Sequence, residues 1–186
     1  FDIYSRYVGL GDITYNRHNN VVYVSNLDNG LIYAINASTG AILGAPYNHN
    51  TTTSDNTGLP FTQVERMVFG LGYNDQTKLL YYAVKGGGSL FDNNQIYTLS
   101  LDPDGSINAG SRSATPVIEY SFPGNGWGNI ISDIAFSADG SQMLIAEMNL
   151  NFETAGAVTV PSKEAHYANV LKYGNVGGTW ALSLSY

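Results

Sequence analysis

Apolar and polar residues alternate along short segments of this chain, and turn-forming residues separate the segments. The pattern is clearest over residues 132–147, SDIAFSADGSQMLIAE, where two apolar runs flank the turn sequence ADG. Alternation with a period of two predicts half-buried β-strands, and a tight Asp-Gly turn between two such runs predicts a hairpin. Residues 12–43 show no helical period. We therefore expect an all-β fold.

The same hairpin pattern occurs three times. Residues 12–24, 70–82 and 133–145 align without a gap. A third and a fourth strand follow each hairpin, so each copy is predicted to be a four-stranded antiparallel meander, which is the unit of a β-propeller blade. The alternative is three unrelated meanders in a sandwich, and the gapless match favours the propeller. The predicted strands are 12–15, 21–25, 31–35 and 41–43; 67–73, 79–84, 95–101 and 117–122; and 131–136, 142–147, 169–173 and 179–185.

Three short motifs resemble those of a known repeat superfamily. The sequence IAFSADGS at 134–141 looks like the first hairpin of β-propeller repeats of the YVTN, NHL and TolB-like kind. YVSN at 23–26 and IYAI at 32–35 look like their second and third strands. The resemblance implies a propeller fold. It implies no particular activity, because such propellers include enzymes, binding scaffolds and surface proteins.

The repeat divides the chain into three predicted blades, at residues 9–46, 62–122 and 129–186, with 1–8 as the outer strand of a preceding blade. Propellers typically have four to eight blades, so three do not close a ring. We therefore expect a single, partial propeller domain. The abrupt start at Phe1 and end at Tyr186 favour completion by further blades of the same protein. Completion by other chains is the alternative.

The longest insertions gather on one face of the predicted propeller. Residues 44–65, 85–94 and 148–168 fall on the face opposite the short first-to-second-strand turns. Loops carry function more often than the elements they connect, and long loops in compact domains are usually functional or mobile. We therefore interpret this decorated face as the binding surface. Tolerated surface decoration is the alternative, since insertions there cost little stability.

Composition and charge restrict the classes of partner. Only 12% of residues are charged, and the net charge is −7. The chain has no Lys/Arg cluster for nucleic acid or anionic lipid and no apolar run long enough to span a bilayer. With no cysteine it has no disulfide, no thiolate metal site and no Cys nucleophile. The Asn- and Thr-rich polar composition favours a secreted, extracellular or cell-surface location.

Six residues are candidates for binding on the decorated face. Glu164 and His166 lie two positions apart, so on an extended segment both side chains point the same way and can hold a cation or exchange protons. A structural histidine in a solvated loop is the alternative that we favour. Trp127 offers a ring for stacking on a sugar. The tentative binding residues are Glu65, Arg66, Trp127, Glu147, Glu164 and His166.

Metal and cofactor signals are weak. There is no dense zinc-ligand cluster. The sequence DPDGS at 102–106 matches part of a Ca²⁺ loop but lacks the remaining ligands, and Pro-Asp-Gly is a turn former. Asp12 and Asp133 hold equivalent positions, but Gly70 at the third position argues against a symmetric metal ring. We expect no cofactor, with Ca²⁺ as the alternative.

Taken together, these patterns predict a non-catalytic propeller module that binds a protein or glycan partner or serves in structural assembly. The alternative is a propeller-type enzyme, such as a lactonase-like hydrolase or a quinoprotein dehydrogenase. Its site would lie at the channel mouth and use Glu65, Arg66, Glu147 or His166. A third option is a filament in which exposed blade edges pair between chains.

Overall fold

The chain folds into three antiparallel sheets of four strands each. The computed structural model describes residues 9–27, 29–49, 67–86, 93–120, 128–155 and 158–185, with side chains except at 128, 149–167 and 184–185. Each sheet is a meander in which consecutive strands are neighbours. Blade 1 consists of β1 (Leu10–Asn16), β2 (Val21–Asn26), β3 (Leu31–Asn36) and β4 (Ile42–Asn48). Blade 2 consists of β5 (Gly70–Asn74), β6 (Leu79–Lys85), β7 (Asn94–Leu99) and β8 (Ile118–Tyr120). Blade 3 consists of β9 (Gly128–Phe136), β10 (Gln142–Ala155), β11 (Val158–Val176) and β12 (Thr179–Ser185).

The strand register confirms the repeat that the sequence predicted. Within the first hairpin of each blade, the same repeat positions are cross-strand partners. These pairs are Ile13 with Val24, Leu71 with Tyr82, and Ile134 with Ile145. A gapless sequence alignment therefore corresponds to a gapless structural one.

The first strand of each blade contacts the first strand of the next, so β1, β5 and β9 lie side by side at the inner end of the sheets. Between β1 and β5 the contact is polar. The Asp12 Oδ2 atom accepts the Leu71 amide hydrogen at 2.7 Å, and Thr14 Oγ1 accepts that of Tyr73 at 3.2 Å. These bonds satisfy amides on the side of β5 that faces away from β6.

Between β5 and β9 the contact depends on glycine. A Cβ atom on Gly70 would lie 2.9 Å from the Ile131 carbonyl oxygen, and one on Gly72 would lie 2.6 Å from that of Ile134. Real Cβ atoms do not approach backbone so closely. Glycine at these two positions therefore lets the two innermost strands pack directly against each other.

Two apolar clusters fill the space between consecutive blades. Tyr23, Ile32, Leu71 and Tyr82 belong to the cluster between blades 1 and 2. The cluster between blades 2 and 3 includes Tyr81, Ile96, Ile134, Ile145 and Trp180. In blade 2, which packs on both sides, β6 is buried along almost its whole length, whereas burial alternates along β3 of blade 1.

Three four-stranded antiparallel blades packed face to face, with their first strands innermost, form a partial β-propeller, as predicted. The short turns lie on one face of it. Gln76 Nε2 donates to the Ala138 carbonyl across the first-to-second-strand turns of blades 2 and 3. Within blade 3 the Asn175 amide donates to Ser141, which brings the third-to-fourth-strand turn to the same face. The opposite, decorated face lies beyond Glu147, where β10 continues past the end of the predicted strand.

One predicted loop is wrong. Residues 148–168 were expected to form a long loop, but β10 continues to Ala155 and β11 starts at Val158. Pairs such as Leu150 with Lys163 extend the hairpin beyond a register shift between Glu147 and Asn149. Backbone pairing satisfies the amides and carbonyls of both segments, so the insertion is an extension of the sheet.

The fourth strand of blade 1 is also longer than predicted. It covers Ile42–Asn48 instead of 41–43, so it includes the start of the predicted connection 44–65. A register shift separates the pairs Ile32–Tyr47 and Ala34–Leu43. Gly44, at a φ of +63°, lies among the extra residues of this bulge. The predicted strand at 1–8 lies outside the described residues.

Candidate functional site

Glu147, the candidate on the decorated face whose side chain is described, is almost completely buried, with 3% of its surface exposed. Its Oε1 atom accepts hydrogen bonds from Tyr120 Oη at 2.5 Å and Asn94 Nδ2 at 3.2 Å. Its Oε2 atom accepts from Asn169 Nδ2 at 3.3 Å and Asn129 Nδ2 at 3.4 Å. The donors come from β7, β8, β9 and β11, so one carboxylate joins blade 2 to blade 3.

The tyrosines around Glu147 are held in their protonated form. Burial, and then the negative charge of Glu147, raise the pKa of Tyr120 above its ordinary value. The same two causes raise the pKa of Tyr173 to about 12. A carboxylate offers about four acceptor positions, and four protein donors bond to this one. This arrangement suits a structural link at the base of the β10–β11 hairpin.

The side chains of the other five candidates on the decorated face lie outside the described part of the chain. Glu65, Arg66 and Trp127 lie outside the described residues. Glu164 and His166 lie within β11, but their side chains also lie outside the described part. Their assignment as binding residues stays a prediction. Lys85, the first residue of the predicted loop 85–94, ends β6 and is buried.

The opposite face contains a cavity that the sequence did not single out. Its volume is about 270 Å³, and it lies where β1, β5 and β9 end. Three aromatic rings line it from the same position of each repeat, namely Tyr15, Tyr73 and Phe136. We call this cavity and its rim the axial mouth. Its remaining lining residues are Arg17, Asp75, Ser137 and Ala138.

The rim of the axial mouth carries a cluster of charged side chains. Asp75 pairs with Arg17, with His18 Nε2 at 2.6 Å and with Lys78 Nζ at 3.4 Å. Partial burial acts to raise the pKa of Asp75, but the hydrogen bond from Arg17 and the charges of Arg17, His18 and Lys78 lower it overall. Arg17 and Lys78 thus place two positive charges beside the Asp75 carboxylate, and the Asp139 carboxylate accepts a hydrogen bond from Ser137 on the other side of the rim. Arg17 is 73% exposed and therefore accessible to a partner.

An aromatic cluster lies between blades 1 and 2. The Tyr82 hydroxyl is 2.9 Å from both the Tyr47 hydroxyl and His49 Nδ1. Arg112 donates to the His49 carbonyl at 2.9 Å and lies over the Tyr97 ring. Burial, and then the charge of Arg112, lower the pKa of His49 to about 4. His49 falls in the connection predicted at 44–65, where a mobile loop was one expectation, but its ring packs on Tyr82 and Tyr97.

The predicted turn at 102–106 is confirmed. The Ser106 hydroxyl and amide both donate to Asp104 Oδ1, at 2.7 and 2.9 Å, which is turn geometry. Gly105, at a φ of +87°, accepts the Tyr23 hydroxyl proton at 2.8 Å, so the turn docks on blade 1. Among the described side chains, no three His, Asp or Glu form a group that could hold a metal ion.

No protein-family model matches this chain, and no curated protein does. A search of solved structures found the crystal structure of the Myceliophteria thermophila Cps50 (Swd1) β-propeller domain. It is 9% identical, the match covers 93% of this chain and 85% of that chain, and the TM-score is 0.28. The fold assignment therefore rests on the three four-stranded sheets of this chain and not on that similarity. Within the described part of the chain, no helix is long and apolar enough to cross a membrane.

Proposed function

We propose that the chain is a non-catalytic interaction module whose protein partner docks at the axial mouth. The observation that carries this proposal is the placement of Tyr15, Tyr73 and Phe136 around one open cavity, with the exposed Arg17 at its rim. Aromatic residues and arginine are the side chains enriched at protein interfaces and among their energetic hot spots.

The size of the mouth and the cations at its rim support a particular chemistry for the proposed partner. A cavity of about 270 Å³ lies below the ~300–1,000 Å³ range of small-molecule sites, and it suits one large side chain of a docking segment. The exposed guanidinium of Arg17 and the ammonium of Lys78 favour acidic neighbours in that segment. The partner is therefore an acidic segment with an apolar or aromatic anchor residue.

Three finer assignments belong to the same proposal. The motifs at 134–141, 23–26 and 32–35 support membership of the YVTN, NHL and TolB-like repeats. The low charge and the Asn- and Thr-rich composition support a secreted or cell-surface location. The decorated face, with Glu65, Arg66, Trp127, Glu164 and His166, is proposed as a second contact region for a protein or glycan partner.

The test uses a fluorescent library of acidic peptides that each contain one Phe, Tyr or Leu, titrated onto the full chain and followed by fluorescence polarisation. Arg17→Ser is expected to weaken the best binder about tenfold, which corresponds to ~1.4 kcal/mol. Lys172→Ser removes the same charge from a remote strand and serves as the matched control. Tyr15→Ala, compared with Tyr33→Ala, tests the aromatic wall in the same way.

Equal affinity of wild-type protein, Arg17→Ser and Tyr15→Ala for that peptide would contradict docking at the mouth. A glycan array gives the second readout. Selective binding of a glycan, with no acidic peptide bound, would indicate that the partner is a carbohydrate and not a protein.

A further inference from the structure

The first turns of blades 1 and 2 are repeat-equivalent and are held in the same way. In the β1–β2 turn, the Asn16 Oδ1 atom accepts the amide hydrogens two and three residues further on, with N–O distances of 3.0 and 3.3 Å. In the β5–β6 turn, the Asn74 Oδ1 atom accepts the equivalent two, at 3.0 and 3.2 Å. Both asparagines are fully buried. A buried amide at the end of each innermost strand therefore fixes the backbone of its turn.

The two turns also share a residue in the left-handed backbone region. Asn20 has a φ of +55°, and its repeat equivalent Lys78 has a φ of +59°. In the described part of the chain, these are the residues other than glycine with a positive φ. Asparagine tolerates this conformation, whereas lysine is uncommon there. Because unfavourable backbone conformations are concentrated at functional sites, a lysine at this position points to a role for its ammonium.

The Lys78 ammonium belongs to a triangle of three polar atoms at the rim of the axial mouth. Its Nζ atom contacts His18 Nε2, and it lies 3.4 Å from Asp75 Oδ1. His18 Nε2 lies 2.6 Å from the same Oδ1 atom. The side chains of His18 and Lys78 are 47% and 51% exposed. The triangle therefore joins the first turns of two blades and is accessible to a partner.

One imidazole nitrogen cannot satisfy both neighbours in the same protonation state. With a proton on Nδ1 alone, the His18 Nε2 atom has a lone pair and accepts a hydrogen bond from the Lys78 ammonium. In the imidazolium both nitrogens are donors, so Nε2 donates to Asp75 and repels Lys78. Histidine is the side chain whose charge ordinarily changes between about pH 5 and 8. Proton uptake by His18 therefore exchanges one hydrogen bond for another and deprives Lys78 of its imidazole acceptor.

The charged groups near His18 come from three turns. Besides its own turn and the β5–β6 turn, the 102–106 turn contacts this region, because Asn19 Nδ2 donates to the Pro103 carbonyl at 2.7 Å. Two of the groups are cations and three are carboxylates, so the surroundings offer anions to the protonated ring. Within the described part of the chain, they are Arg17, Asp75, Lys78, Asp102 and Asp104.

We propose that protonation of His18 regulates the docking of an acidic segment at the axial mouth, by releasing the Lys78 ammonium and adding a positive charge to the rim. This inference rests on the docking proposed above and specifies how that site is regulated. Neutral His18 holds Lys78 in the contact between blades 1 and 2. Protonated His18 bonds to Asp75, and Lys78 then becomes available to a carboxylate of the partner. Docking is therefore stronger at about pH 5.5 than at about pH 8.

The first test needs no partner and follows His18 and Lys78 by NMR of the isotope-labelled full chain between about pH 8 and 5. At the upper end, the nitrogen shifts of the His18 ring are expected to show a proton on Nδ1 and none on Nε2. The Lys78 Cε and Nζ signals are expected to shift with the same midpoint as the His18 ring, and His18→Gln is expected to remove that change. A proton on Nε2 at the upper end, or Lys78 signals that do not follow His18, would overturn the exchange.

The second test measures the affinity of the acidic peptide selected above at both pH values by fluorescence polarisation. Peptide carboxylates ordinarily titrate near pH 4, so most remain ionised at about pH 5.5. Wild-type protein is expected to bind about threefold more tightly at the lower pH, as for an exposed charge pair. His18→Gln and Lys78→Asn are expected to remove most of this difference. Asparagine suits the backbone at position 78, since Asn20 has the same conformation.

His49→Gln is the matched control for loss of a histidine. Burial, and then the charge of Arg112, lower the pKa of His49 to about 4, so this ring stays largely neutral over the range tested. The variant is therefore expected to keep the threefold difference. Loss of the difference in His49→Gln, or its persistence in His18→Gln, would contradict the assignment to His18.

The two proposals fail separately. Peptide binding that is equal at both pH values, but weakened by Arg17→Ser, would support docking at the mouth and overturn its regulation. Absence of any bound peptide would contradict the docking and the regulation with it, even where NMR shows the exchange of Lys78.

Discussion

The interface between blades 1 and 2 and the interface between blades 2 and 3 are built on the same repeat but joined differently at the centre. Both bury repeat-equivalent apolar residues. At the innermost strands, the first interface uses the side chains of Asp12 and Thr14 as acceptors for backbone amides. The second interface has glycine at the equivalent positions, Gly70 and Gly72, where a Cβ atom would overlap with the backbone of β9.

This difference shows what the repeat constrains. The large apolar residues on the sheet faces are equivalent from blade to blade, because they fill a space of similar shape. The positions of the innermost strand that face the next blade have another requirement. They accept either a hydrogen-bond acceptor or no side chain, since the next backbone lies within contact distance. The predictions below alter one interface at a time.

The largest effect is expected from Gly72→Ala at the second interface. The added Cβ would lie 2.6 Å from the Ile134 carbonyl oxygen and 2.8 Å from its Cγ2. Since backbone must move to relieve this overlap, the free energy of unfolding is expected to fall by about 3 kcal/mol. Urea denaturation followed by circular dichroism measures it. Gly174→Ala, where no atom lies within 4 Å of the added Cβ, is the control and is expected to change stability by less than ~1 kcal/mol.

A somewhat smaller loss is expected from Glu147→Gln at the same interface. The substitution replaces one carboxylate oxygen by an NH₂ group, which donates and does not accept. At least one of the four groups that donate to Glu147 therefore loses its hydrogen bond to this side chain. The expected cost is about 2 kcal/mol. The matched control is Glu119→Gln, since Glu119 is exposed and accepts from Asn93 and Gln95. Equal losses of stability in the two variants would contradict the structural role of Glu147.

The first interface is expected to respond to pH through His49. Its folded pKa of about 4 lies below the ordinary 6.5, so the unfolded chain binds more protons between these values. Stability contributed by neutral His49 is therefore present above pH 6.5 and is lost as the pH falls towards 4. Allowing for partial solvent screening, the loss is about 1.5 kcal/mol. Urea titrations across this range are expected to show a shallower fall for His49→Gln, and parallel curves for the two proteins contradict the assignment.

Asp12 at the same interface is expected to change stability with pH in the opposite direction to His49, and by a smaller amount. Burial is the main cause that raises its pKa to about 6 from 3.8, so the folded state binds more protons in this window. Its contribution to stability therefore decreases as the pH rises from about 4 to 6. After discounting for screening, the effect is about 1 kcal/mol. Asp12→Asn removes it, and stability relative to wild type is expected to rise between pH 4 and 7. A pH-independent difference would contradict the shift.

The strands could be predicted because their signals are local. Alternation and turn residues placed β2, β3, β6 and β12 within a residue or two of their observed bounds. Repeat alignment then supplied the register of all three hairpins. The same alignment misled at β10 and β11, because equal strand lengths were assumed for all blades. The continuous pairing of 149–155 with 158–164 depends on a register shift that no local signal marks.

The sites were less predictable because their partners are distant in the sequence. Glu147 was singled out as a charge at a strand end. Its burial depends on Asn94, Tyr120, Asn129 and Asn169, which belong to four other strands. The axial mouth was open to prediction, since the repeat aligned Tyr15, Tyr73 and Phe136. The sequence did not show that the ends of these three strands converge on one cavity.

The most direct test of blade packing is amide hydrogen exchange at Leu71, measured by NMR and compared with its repeat equivalent Ile13. Leu71 donates across the first interface to Asp12 and is 1% exposed, whereas Ile13 is bonded to the side chain of its own neighbour and is 62% exposed. In the monomer, Leu71 is expected to exchange at least ~100-fold more slowly than Ile13, and Asp12→Ala is expected to remove most of that protection. Similar exchange rates for the two amides in the folded monomer would show that blade 2 does not pack on blade 1, and would contradict the propeller arrangement.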